Sequence, residues 1–216
     1  MSSPPAARAP TSGIEVGPCA AGEAAAIARV LGEAFLDDPV WGAIGPRLRP
    51  HRRIANRISF AGILAGSRRH GARIRVARDG GEVVGATIAF DPGRWPLPQS
   101  SMLWELGWLL VAGPLPAGRG FRDDRAMRAA HVEHPHVYLW FLGVAPARHG
   151  EGVGRALLAE LHADSDRAGV PTYLETATPG NVAFYERDGY ASIGEIAMPS
   201  GPTMWRMERP AVEGRG

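Results

Sequence analysis

Leu142-Gly143-Val144-Ala145-Pro146-Ala147-Arg148-His149-Gly150-Glu151-Gly152-Val153-Gly154-Arg155-Ala156-Leu157-Leu158 runs from an apolar segment, through a glycine-rich turn, into a helical pattern. Upstream, His136 to Val144 reads as a strand. Downstream, Gly152 to Ala168 reads as a helix with Val153, Leu157, Leu158 and Leu161 on one stripe. Gly169 stands where a left-handed residue is wanted, and Pro171 cannot continue the helix. Pro171 to Thr176 then reads as a second strand, so the segment is a βαβ unit. Glycines alternate where the helix begins. A helix's first turn has N–H groups without intrahelical partners and the positive end of the macrodipole, and glycines let a pyrophosphate reach that backbone. The dinucleotide fingerprint needs a glycine three residues after Gly152, and Arg155 is there instead. The alternative is a turn whose glycines solve only a backbone problem.

Working outward, Ile14 to Val16 is a candidate strand, and Gly22 to Leu36 a helix stopped by Asp37, Asp38 and Pro39. A second helix is expected from Pro50 to Ser67, with Ile54, Ile58 and Leu64 as its apolar stripe. Ala72, Ile74 and Val76 alternate with arginines, and Asp79-Gly80-Gly81 turns that strand into the next, Glu82 to Phe90. Asp91 to Pro98 reads as loop, and helices are expected at Ser101 to Val111 and Phe121 to His134. A helix at Asn181 to Arg187 and strands near Tyr190 to Met198 and Thr203 to Glu208 complete the chain. Residues 1–13, rich in Ser, Pro and Ala, read as a mobile tail and 211–216 as a second one, leaving 14–210 as a single domain.

The 216 residues, 45% hydrophobic and 21% charged, suit one buried core. All 24 basic residues are arginine. Without lysine, neither a Walker-type phosphate loop nor a Schiff-base enzyme is available. One cysteine, Cys19, gives no intrachain disulfide and no thiolate cluster, so a cytoplasmic location is expected. The longest apolar stretch, Met102 to Val111, contains Glu105 and is followed by Pro114, so no membrane partner is expected. Arg47 to Arg78 holds ten arginines and no acid. Lacking interleaved aromatics, this run reads as a solvated helix face rather than a nucleic-acid surface.

The turn with its flanks, and the run Tyr173-Leu174-Glu175-Thr176 through Asn181-Val182-Ala183-Phe184-Tyr185-Glu186-Arg187-Asp188-Gly189-Tyr190, resemble the acetyl-CoA motif and C-terminal signature of the GNAT acetyltransferase superfamily. The resemblance runs from Ile14 to about Arg209. Gly152 and Gly154 match, while His149 stands where the family usually has Arg or Gln. Ala34-Phe35-Leu36-Asp37-Asp38-Pro39 and the segments Ala168 to Pro171 and Pro202 to Trp205 look most like the puromycin N-acetyltransferase branch. The resemblance implies an α/β (α+β) fold: a mixed, mostly antiparallel sheet flanked by helices, with a splayed parallel strand pair as the coenzyme cleft. It also implies acetyl-CoA as cosubstrate, held by His149, Gly150, Glu151, Gly152, Val153, Gly154 and Arg155. Leu142 and Val144 would offer backbone groups to the pantetheine arm and Gly143 would permit the splay. Asn181 would be a coenzyme contact, with a helix N-cap as its alternative role.

Acetyl transfer to an amine needs a neutral acceptor and a proton for the departing thiolate. The resemblance places Tyr185 at the coenzyme sulfur, and a phenol keeps its proton at neutral pH. The alternative for Tyr185 is packing beside Phe184. His136, Tyr138 and Trp140 alternate on one strand face and are candidates to line the acceptor pocket, or are ordinary strand residues. Asp37, Asp38 and Trp41 fall where the resembled branch has its acceptor loop, where acids could hold a cationic amine or simply end a helix. Pro135 breaks any helix that would gather His131, Glu133, His134 and His136, and no metal is expected. The expected acceptor is the amine of a small molecule, attacking directly in a ternary complex. Trp104 and Trp108 add to the aromatics favouring a bulky acceptor over a peptide. A protein acceptor and a non-catalytic acyl-CoA sensor are the alternatives, and the chain is expected as a monomer or homodimer.

Overall fold

In the computed structural model, residues 13–95 and 113–212 are described. They form a seven-stranded sheet in the order β1-β2-β3-β4-β5-β7-β6. The strands are β1 (Ile14–Pro18), β2 (Arg73–Asp79), β3 (Glu82–Phe90), β4 (Val137–Val144), β5 (Thr172–Thr176), β6 (Ala191–Ala197) and β7 (Thr203–Arg209). Neighbours are antiparallel except β4 and β5, the pair joined by the βαβ crossover. This is the mixed, mostly antiparallel sheet that the resemblance implied. Between β2 and β3, Gly80 and Gly81 both have positive φ, 55° and 83°. That backbone matches the right-handed twist of a hairpin, and glycine adopts it without strain.

Helices α1 (Ala24–Ala34), α2 (Pro39–Ile44), α3 (Arg49–Arg69), α4 (Pro114–Ala130), α5 (Val153–Ala168) and α6 (Pro179–Glu186) surround the sheet. On one face α1 and α3 bury Ile27, Leu31, Phe60, Ile63 and Leu64 against Val76, Ile88, Phe90 and Tyr138. On the other, α5 and α6 bury Leu158, Leu161 and Tyr185 against Leu139, Leu174 and Met207. The expected α5 stripe is buried, and Gly169 ends the helix at φ 64°.

Three expectations change. In α3, Ile54 and Ile58 are 57% and 44% exposed, while Ala55, Ser59, Phe60 and Ile63 face inward. Six residues from Ile58 to Leu64 carry the helix about two-thirds of a turn past a full repeat, so the three cannot share a face. A new short helix, α2, starts where termination was expected, because Asp38 caps it and Pro39 fits its first turn. Helix α4 begins at Pro114 rather than Phe121 and ends at Ala130, four residues before the expected His134. The expected helix Ser101 to Val111 and Trp104 and Trp108 lie outside the described residues, as do 1–12 and 213–216 of the expected tails.

The arginine run is not a bare positive face. Arg53 pairs with Glu33, Arg73 and Arg75 with Asp164, and Arg78 with Glu23. Arg52 reaches the carbonyls of Leu36, Pro46 and Arg47, and buried Asn56 donates to those of Gly32 and Phe35. Together they serve the free carbonyls at the end of α1 and fix the loop leading to Asp38.

Two helices close on the same part of the sheet from opposite faces, each over a glycine. A Cβ on Gly143 would lie 2.7 Å from Leu31 of α1, and one on Gly85 would lie 2.9 Å from Val153 and 3.1 Å from Leu157 of α5. The strands pair there, Gly85 opposite Val144 and Ala86 opposite Gly143. Gly143 thus serves the close approach of α1, and the β4 irregularity lies elsewhere, at Trp140. Gly85→Val should cost about 1–3 kcal/mol, the scale of overpacking. Thermal unfolding checks this; an unchanged Tm would mean that α5 is not seated by that contact.

Candidate functional site

Ile88 pairs with Phe141 and Ala89 with Leu139, leaving Trp140 as an extra residue, a β-bulge. The bulge resets the alternation. Tyr138, Trp140 and Phe141 all pack toward α1 and α3, whereas Leu139 and Leu142 pack toward α5 and α6. The parallel partner is lost at the same level: β4 and β5 pair only at Val137 with Thr172 and Tyr138 with Tyr173, then diverge. Ala145 N–H bonds to Val84 O of β3, so by alternation the peptide groups of Leu142 and Val144 face the opening instead.

At the end of β4 the chain makes a 3₁₀ turn at Pro146–Arg148, and Gly150 and Gly152 both adopt φ 81°. A Cβ at either would meet open space, so it is the left-handed backbone that calls for glycine. Gly152 is the N-cap of α5 and offers no side-chain bond, and the first helical bond is Ala156 N–H to Gly152 O at 3.0 Å. The N–H groups of Val153, Gly154 and Arg155 are therefore without partners among the described residues, at the positive end of a 16-residue helix. Such a nest takes an anion.

The side chains around it are engaged elsewhere. Val153 is buried in the core, so only its backbone reaches the nest. Glu151 turns to Arg148, which also holds Asp79, each at 2.6 Å. Arg155 lies 3.1 Å from Asp188. His149 Nε2 is 3.2 Å from Val144 O, folding the ring back onto the strand end. A Cβ on Gly154 would be 3.2 Å from the Phe184 ring, which brings α6 against the first turn of α5.

Where β4 and β5 part, a cavity of ≈ 190 Å³ opens. Among the expected site residues, Asp38, Trp41, Tyr138, Trp140, Leu142, Asn181 and Tyr185 line it together. Asp37 does not; it is exposed and bonded to Arg49. His136 does not either: it is buried against Tyr138, with Nδ1 2.7 Å from His134 O and Nε2 3.0 Å from His131 Nε2. Asn181 is not the cap of α6, since Thr178 holds that place and accepts Asn181 N–H. Asp38 does not end a helix but caps the start of α2, Oδ1 accepting Val40 and Trp41 N–H, and the residue lines the cavity. Burial raises its pKa against the opposing pull of those two bonds. Tyr185 is buried among Leu158, Leu174 and Tyr190, and burial alone raises its phenol pKa. Trp41 stacks on Phe60 at 4.7 Å, and Trp95 packs 4.9 Å from both Tyr138 and Trp140.

The cavity also contains groups that sequence reading passed over. Glu175 accepts from Tyr173 OH at 2.8 Å, lies 3.4 Å from His131 Nδ1, and its side chain is 2% exposed. Its alternation with Leu174, which faces α5, could have placed it. Asp123 and Asp124 come from α4, and Trp95 from the loop after β3. Helix α4 buries only Ala117 and Asp123, too little to pattern its sequence.

The family model described as Acetyltransferase (GNAT) family matches residues 41–190. Among solved structures, "histone acetyltransferase HPA2 and related acetyltransferase" from Corynebacterium glutamicum is 25% identical, with TM-score 0.70, covering 94% of this chain and 99% of its own. The ribosomal-protein-S18-alanine N-acetyltransferase from Escherichia coli is 14% identical, with TM-score 0.55, covering 94% and 97%. An acetyltransferase-fold protein of Salmonella typhimurium, yncA, solved with its cofactor acetyl-CoA, is 16% identical, with TM-score 0.55, covering 95% and 98%. The nest, the open strand edge and the matched 150 residues agree: this chain belongs to the GNAT family of acetyltransferases, enzymes that use acetyl-CoA.

Proposed function

We propose that this enzyme acetylates the amine of a small molecule, an antibiotic or metabolite of the kind taken by the puromycin N-acetyltransferase branch, by direct attack in a ternary complex. One observation carries the reading: the strand edge suited to the pantetheine arm and the aromatic, carboxylate-lined cavity open into the same gap between β4 and β5, with Tyr185 lining it. Pyrophosphate would take the free N–H groups of Val153 to Arg155, and the arm would pair with Leu142 and Val144. A cavity walled mainly by apolar and aromatic side chains suits a small acceptor. A protein acceptor draws support from the names of two structural neighbours, one a histone and one a ribosomal-protein acetyltransferase.

In the step itself, the neutral amine attacks the thioester carbon, a C–N bond forms, and the C–S bond breaks. The sulfur takes the Tyr185 proton, and the surplus proton on the new amide nitrogen returns through water to the Tyr185 phenolate, so the step closes with the phenol restored. Burial that raises the phenol pKa also raises the basicity of a thiolate leaving beside it, so the transfer stays matched. An alkylammonium, with a pKa near that of lysine at about 10.4, must first lose a proton. Glu175 is the cavity carboxylate placed to take it, with Tyr173 and His131 behind it.

Tyr185→Phe should keep acetyl-CoA binding and lower kcat by about 10²-fold or more where chemistry is rate-limiting. Coenzyme thiol release across aminonucleosides, polyamines and peptides reads it, and an unchanged kcat with a good acceptor would leave Tyr185 a packing residue. Glu175→Gln retains an acceptor for Tyr173 OH, so the fold should hold. Its kcat/KM should fall about 10²-fold near neutral pH and climb as pH rises, because only the small free-amine fraction then reacts. A pH profile matching that of the parent enzyme would remove Glu175 from proton transfer.

A further inference from the structure

The cavity holds more acidic side chains than one ammonium requires. Asp38, Asp123, Asp124 and Glu175 line it, and among the described residues no arginine or histidine does. Two of the four are accounted for. Asp124 pairs with Arg128 at 2.6 Å, and Glu175 is bonded to Tyr173 near the strand gap. Asp123 differs. It is 3% exposed, its Oδ1 accepts Ser200 N–H at 2.9 Å, and its Oδ2 is buried with no hydrogen-bond partner among the described residues. No ion pair relieves it among the described residues. A buried carboxylate oxygen left unpaired is costly, and a site that tolerates it is suited to a ligand that supplies the missing donor and charge.

Asp38 enters the same cavity from α2, an element packed against α4. Its two capping bonds both go to Oδ1. The same cavity is walled by Trp41, Tyr138 and Trp140, aromatic faces that attract organic cations. Resting on the small-molecule reading above, we propose that the acceptor carries two cationic nitrogens on an apolar spacer: one is acetylated at the β4–β5 gap, while the other is held by Asp123 with Asp38. Asp123 is then a specificity-determining residue rather than a catalytic one.

The test compares α,ω-diaminoalkanes of three to eight carbons and p-xylylenediamine with the monoamine of each skeleton, by coenzyme thiol release and by thermal shift. Asp123→Asn keeps an Oδ1 for Ser200 N–H, and Asp38→Asn keeps a capping oxygen, so both variants should fold. At least one diamine should exceed its monoamine about tenfold or more in kcat/KM, the scale of a charge-assisted bond to a buried partner. Asp123→Asn should erase that advantage through KM, bringing the diamine down to the level of its monoamine. Equal turnover of diamines and monoamines, or an advantage that survives Asp123→Asn, overturns the second subsite and leaves the small-amine reading in place. Diamines that raise Tm in the parent enzyme but not in Asp123→Asn, with no amine acetylated, would support the subsite and defeat the small-amine reading. Diamines that neither raise Tm nor outpace monoamines overturn the subsite.

Discussion

Two parallel strands that pair for two residues and then separate impose the constraint on which the rest of the molecule depends. Past Tyr138 and Tyr173, each strand has an edge of peptide groups facing a gap, and such groups need partners. The β-bulge at Trp140 lies at the level where pairing stops, bending β4 and setting two consecutive aromatics, Trp140 and Phe141, on one face. Glycines hold the bent strand between two helices. Gly143 admits α1 on one face and Gly85 admits the start of α5 on the other. The helix whose N–H groups are free is thereby fixed at the mouth of the gap.

Charge divides along this gap. At one end the nest at Val153 to Arg155 carries the positive pole of α5, with the nearby acids Glu151 and Asp79 drawn off by Arg148. The cavity beside the gap is lined by carboxylates and aromatic rings. Under the proposed function, the anionic coenzyme would take the nest and a cationic amine the acid-lined cavity, and they would meet where Tyr185 and Glu175 lie. Neither pole relies on lysine, which the chain lacks. The anion nest uses backbone, and the arginines mainly tie elements together, as Arg52 does at the end of α1.

The βαβ unit, the β2–β3 hairpin and the nest were legible in the sequence because each is written locally: a 3.6-residue stripe, two adjacent glycines in a turn, glycines at a helix start. Tyr138, Trp140, Leu142, Asn181, Tyr185, Asp38 and Trp41 do line one cavity, though the bulge that keeps Trp140 on the face of Tyr138 left no sequence mark. What escaped reading depended on contacts across the chain. Asp123 is held by Ser200, 77 positions away, and Glu175 is set by Tyr173 together with His131. The α3 stripe misled because Ile54 and Ile58 share a face that no other element covers among the described residues, while small polar residues, Asn56 and Ser59, are buried beside Ala55, Phe60 and Ile63.

Amide hydrogen exchange with and without saturating acetyl-CoA tests most directly whether this gap is the coenzyme site. The N–H groups of Leu142, Val144, Val153, Gly154 and Arg155 should exchange readily in the unliganded enzyme and slow markedly when the coenzyme supplies their partners. Slowing confined to other surfaces, such as the pocket at Cys19, Arg68 and Arg73, with these five amides unchanged, would contradict the account.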